Sequence, residues 1–210
     1  MNLKQIIRTE ENEMKKAIRM LGLLLCAVIT ANLLQTEQML EKVEHSVIRL
    51  HILANSDSTA DQTCKLLVRD ALVSRAAEWI PEHVTWKESC ALLSEKLPEI
   101  QKAAEETLRS AGCTDSVRVS FGKTAFPARQ YDGFTLPAGD YQALRVEIGS
   151  GRGQNWWCIM YPSLCLPAAS EPELPPDSDV RELTEHTEKY EVRLKCVDAL
   201  RAVFRWLRDF

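Results

Sequence analysis

A chain of 210 residues, 45% apolar and 27% charged, has room for one domain with its own core and a small appendage, and needs no metal to fold. A formal charge of −4 argues against a nucleic-acid partner, since phosphate contacts require a basic face. The charge is uneven: residues 1–31 hold five basic and three acidic side chains, which leaves 21 basic against 27 acidic for the rest.

Lys15, Lys16 and Arg19 precede an uncharged run from Met20 to Leu34 whose only polar side chains are Thr30 and Asn32. As a helix this run spans about 22 Å, short of the roughly 30 Å of a hydrocarbon core. A basic flank, a short apolar run and then small residues is the layout of a secretory signal, and Ile29-Thr30-Ala31 offers a cleavage site. The alternative, a core helix, fits less well because the run is apolar all round. Residues 1–34 therefore form a signal peptide or signal-anchor, with the N-terminus cytosolic and the remainder outside.

Residues 35–45 form a polar connector of helical composition. Ser46–Leu53 alternates Val47, Arg49 and His51 with Ile48, Leu50 and Ile52, the period of a strand. Asn55–Ser58 ends it. Ser58 and Asp61 have capping-box spacing and open a helix with one apolar face (Cys64, Leu67, Val68, Ala71, Leu72, Ala76, Trp79), which Pro81 stops. Thr85 and Glu88 open a second helix to about Lys96. Pro98 suits the first turn of a third, which ends at Gly112.

Val117–Phe121, Tyr141–Ile148 and Asn155–Tyr161 read as strands, and Gly149–Gly153 as a glycine-rich hairpin joining the last two. Residues 166–188 form a proline-rich linker. Residues 189–210 form an amphipathic helix with Val192, Cys196, Ala199, Leu200, Phe204 and Leu207 on one stripe, returning to cover the sheet. The expected fold class is α+β. A largely antiparallel sheet of about four strands is packed by three to four helices behind an N-terminal hydrophobic export helix. Residues 46–165 make the main domain.

No catalytic constellation stands out. The glycine loop is not followed by a helix, so it lacks the N-terminus that cradles phosphate. There is no GxSxG elbow. His45 and His51 have no Cys, Asp or Glu beside them at a metal-ligand spacing, so no metal and no cofactor is expected. Asp57 and Asp61 are explained as turn and cap residues, and Asp70 lies on a polar helix side. The competing reading, a secreted hydrolase acting on cell wall, would need a cleft built around such acids.

Of the seven cysteines, Cys26 lies in the signal, and Cys64 and Cys196 fall on apolar helix stripes as small hydrophobes. Cys90 and Cys113 have no assignment. Cys158 and Cys165 close a short loop and are the first candidates for a disulfide in an exported protein. Trp156 and Trp157 are adjacent in a strand and face opposite ways, so an exposed one could anchor a protein partner.

The run IRLHILANSDSTADQTCKLLVRDAL (Ile48–Leu72) and the block FPARQYDGFTLPAGDYQALRVEIGSGRGQNWWCIMYPSLC (Phe126–Cys165) together resemble the two signature blocks of the stage II sporulation protein R family. Ala128, Ser163 and Cys64 depart from the family pattern. The resemblance implies a non-catalytic signal, made in the forespore and exported into the space between forespore and mother cell. It acts there on a membrane-embedded aspartic protease of the mother cell that processes the precursor of sigma E. The partners expected on this basis are that protease and, through residues 20–34, a membrane; nucleic acid and small-molecule substrates are not expected. The candidate partner-binding residues are Arg49, Asn55, Asp57, Arg69, Trp156 and Trp157.

Overall fold

The computed structural model describes residues 3–131 and 134–162 and, near the C-terminus, 194–197, 199, 202 and 206. Two compact units separate. One comprises Met39–Lys189 and the other Met1–Gln38 with Tyr190–Phe210.

Helix α1 (Leu3–Glu44) is a single element of 42 residues, so the hydrophobic run is not a 15-residue helix standing alone. Nothing in the run or its polar flanks breaks a helix except Gly22, which is tolerated because nothing crowds it. Met20, Leu21, Leu23, Leu24, Leu25, Val28 and Ile29 are each at least half exposed. Its two polar side chains turn back on the helix itself: Thr30 Oγ1 donates to the Cys26 carbonyl and Asn32 Nδ2 to the Val28 carbonyl, both at 2.8 Å. That arrangement hides polar groups from a lipid environment. By length and composition, α1 can cross a membrane.

The C-terminal linker lies outside the described residues, as does most of the expected terminal helix. The residues described there are helical, but Leu194 and Val197 are the buried ones, while Cys196 and Ala199 are exposed. Cys196 is therefore not a core side chain; Val192, Leu200, Phe204 and Leu207 of the expected stripe lie outside the described residues.

In the other unit, β1 (Ile48–Leu53), β5 (Gly139–Ile148), β2 (Val117–Phe126) and β6 (Asn155–Tyr161) form one sheet in the order β2-β5-β1-β6. β1 runs parallel to β5 and antiparallel to β6, and β2 is antiparallel to β5. The sheet is mostly antiparallel with one parallel pair. β5 and β6, expected to pair through a hairpin, are instead separated by β1. The glycine loop spans the C-terminal end of β1. A short second ladder, β3 (Arg129–Tyr131) with β4 (Phe134–Leu136), was not predicted.

Helices α2 (Thr59–Ser74), α3 (Ala76–Trp79) and α4 (Trp86–Ser110) cover one sheet face. The core there joins Ile48, Leu50 and Ile52 of β1 and Leu144, Val146 and Ile148 of β5 to Val68, Leu72, Leu93, Ile100 and Ala104 of the helices. Ser58 caps α2 by accepting from the Asp61 N–H, and Thr85 and Glu88 form a complete capping box on α4. α4 runs through Pro98 rather than restarting there. A mid-helix proline costs on the order of 3 kcal/mol. Leu93 on one side of it and Ile100, Ala104 and Leu108 on the other are all buried, and this packing holds the helix together across the defect.

Cys64 is bonded to Cys113 across 49 residues, so it is a cross-link between α2 and the α4–β2 loop and not merely a small hydrophobe. Cys158 is also disulfide-bonded; its proposed partner, Cys165, lies outside the described residues. Cys90 is half-buried, and burial pushes its thiol up to about 11, which keeps it protonated and unreactive near neutral pH.

Candidate functional site

The six candidate residues fall in three separate settings.

The first setting is the turn after β1. Asn55 Oδ1 accepts from the Ser150 N–H at 2.9 Å, and its Nδ2 donates to Asp61. The Asn55 carbonyl accepts from Ser150 Oγ and the Arg152 N–H. Asp57 Oδ1 accepts from the Gln154 N–H at 2.7 Å. Asp61 also accepts from Ser56 Oγ, which is the main reason its carboxyl is held below its ordinary value. Asn55 and Asp57 thus bind the glycine loop to the β1–α2 turn. Lys65, buried, completes the seam by donating to Gln62 Oε1 and the Gln154 carbonyl. The loop can come this close because it is glycine-rich: a Cβ on Gly149 would overlap the Asn55 amide, and one on Gly153 would overlap the Ser56 carbonyl.

The second setting is on the helix side. Trp156 packs against the core, and the Arg69 guanidinium lies over its ring at 4.4 Å. Arg69 also pairs with Asp70 at 2.6 Å. Cation–π stacking of this kind contributes about 0.5–1 kcal/mol where solvent is near.

The third setting is the opposite sheet face. There Arg49, His51 and Trp157 come together with Phe126, Tyr131 and Arg129. Arg49 is fully buried in the middle of the sheet, beside a register shift in the β1–β6 ladder. Its guanidinium lies 3.9 Å from the Phe126 ring centre and 5.1 Å from that of Tyr141, and Nη2 donates to the Tyr131 hydroxyl at 3.0 Å. Nε and Nη1 are buried without an acceptor. Among the described residues, no carboxylate lies within ion-pair distance of it. Burial pushes the Arg49 pKa down, and the nearby Arg129 adds to this.

His51 is paired in register with Trp157. Its Nε2 meets Asn155 Oδ1 at 2.9 Å, while Nδ1 has no partner. Burial, and then the charges of Arg145 and Arg49, press its pKa below the ordinary histidine value. Arg129, exposed, stacks over Trp157 at 4.1 Å, and the Trp157 indole N–H is buried without an acceptor.

Trp156 and Trp157 do face opposite ways, each half-buried under an arginine and neither standing free as an anchor. The sequence did not single out Phe126, Tyr131 and Arg129. Their signal is weak, because the segment after the expected strand Val117–Phe121 has neither strand alternation nor a charge pattern. Among the described residues, no three His, Cys, Asp or Glu side chains are grouped to hold a metal.

The fold and these clusters define an α+β domain preceded by a membrane-competent helix, its polar groups tied into a turn, a helix flank and a buried cationic–aromatic face. The profile of the family described as stage II sporulation protein R matches residues 44–171. Over 148 residues the chain is 37% identical to the protein named stage II sporulation protein R of Bacillus subtilis (strain 168). That match covers 70% of this chain and 66% of the relative, slightly under two thirds of its length. No solved structure matches. The chain belongs to the stage II sporulation protein R family.

Proposed function

We propose that the chain is an exported signal of endospore formation. It leaves the forespore through α1 and acts in the space between forespore and mother cell. There it switches on a membrane-embedded aspartic protease, which then processes the sigma E precursor. Family membership carries this reading. The membrane-competent helix agrees with the export half of this reading.

The test is co-expression of the full chain, the protease and the sigma precursor in a host lacking all three. Cleavage that depends on the chain is the expected result. No cleavage would overturn the reading. Cleavage by a version lacking residues 1–34 and shown to remain cytosolic would overturn its export half.

A further inference from the structure

We propose that the partner docks over β3, beside the exposed Arg129, and that Arg49, buried beneath it, takes a carboxylate from an acidic side chain of that partner. The proposal deepens the signalling reading and rests on it.

A guanidinium carries five N–H donors and is never deprotonated under physiological conditions. Arg49 is fully buried with Nε and Nη1 unsatisfied, and among the described residues its hydrogen-bonded partner is a neutral phenol. The rings of Phe126 and Tyr141 soften the burial of the charge but accept no hydrogen bond from it in the plane of the fork. Two further orphan nitrogens, His51 Nδ1 and Trp157 Nε1, belong to the same face. An indole N–H can only donate, so the cluster lacks acceptors rather than donors.

The charge on this face points the same way. The chain as a whole is acidic, yet here Arg49 and Arg129 meet no carboxylate among the described residues, and Arg145 is matched by Glu147 at 2.7 Å. A carboxylate supplies the missing acceptors and charge together, and charge-assisted pairing with a guanidinium is far stronger than the bond to a phenol. The aromatic walls favour a single acid set among apolar residues of a polypeptide over a polyanion.

Two side chains of β3 stand beside Arg49. Tyr131 is half-buried and Arg129 exposed. The Tyr131 hydroxyl occupies the place a carboxylate oxygen would take. The incoming acid replaces it on Nη2 and pairs with Arg129 at the rim.

The experiment uses the full chain in the co-expression assay. Arg129→Glu changes an exposed side chain and is expected to fold and be exported normally; it should lower precursor cleavage at least tenfold. Arg49→Met should abolish cleavage while leaving the melting temperature unchanged or higher.

Each Asp and Glu in the external segments of the protease is then neutralised singly. At least one should reproduce the loss and cause no further loss when combined with Arg129→Glu. Full cleavage by Arg129→Glu, or strictly additive losses for every acid tested, would overturn the site while leaving the signalling function intact. Failure of the unmodified chain to drive cleavage would overturn both.

Discussion

The side chain of Asn55 fills the space that a side chain on Gly149 would need, and the same Asn55 oxygen accepts from the Ser150 N–H. Gly149 also has φ +57° and Gly151 φ +62°, in the left-handed region. The two positions separate conformational strain from collision. Gly151→Ala meets nothing closer than 3.6 Å and should cost about 1 kcal/mol for backbone alone. Gly149→Ala adds a clash with the turn and should cost about 2–4 kcal/mol. Urea unfolding of the purified chain measures both, and equal losses would contradict the packing described.

The Cys64–Cys113 bond closes a loop of 49 residues. On the chain-entropy account it contributes about 4 kcal/mol. Cys64→Ala should lower the melting temperature, and so should reduction of the unmodified protein. A non-reduced digest analysed by mass spectrometry should contain the Cys64 and Cys113 peptides joined.

His51 titrates below its ordinary value because the folded protein disfavours its charge. Between the folded value and about 6.5, the unfolded chain binds more protons than the folded one, so stability rises with pH there. The contribution is complete above about 6.5 and is lost as pH falls toward the folded value. Urea midpoints measured from pH 5 to 7.5 should therefore fall on the acid side. His51→Gln should flatten that part of the curve.

Pro98 is exposed within α4 and denies the helix one backbone hydrogen bond. Pro98→Ala should restore the bond and stabilise the protein by about 1–2 kcal/mol, read from the same denaturation curves.

Leu24 and Leu25 lie in the exposed apolar stretch of α1. Replacing both with Asp should cost roughly 5–7 kcal/mol of membrane insertion at the helix centre. A C-terminal reporter active only outside the cytosol should then fall silent, and the chain should appear in the carbonate-soluble fraction.

Much of this architecture was legible in the sequence because it is local. The alternation in Ile48–Leu53, the caps at Ser58 and Thr85 and the span of β6 all rest on neighbours a few residues apart. What escaped is long-range or compensated. Nothing near Gly149–Gly153 announces that β1 lies between β5 and β6, since that pairing joins segments about a hundred residues apart. Pro98 signals a break that tertiary burial overrides. The candidate residues are partly legible: Arg49 and Trp157 stand out, but the ring of Phe126, Tyr131 and Arg129 around them appears only once β2 has joined the sheet and β3 is placed beside it.

The placement of β1 also sets an order of events. The first strand to be made is hydrogen-bonded on both sides by two of the last, so its ladder cannot be completed until residue 161 is present. A domain threaded through a membrane starting from β1 would hold Ile48–Leu53 unpaired until nearly all of it had crossed. Such high contact order slows folding. A polypeptide slow to close its sheet stays threadable, and it acquires its finished surface only on the far side.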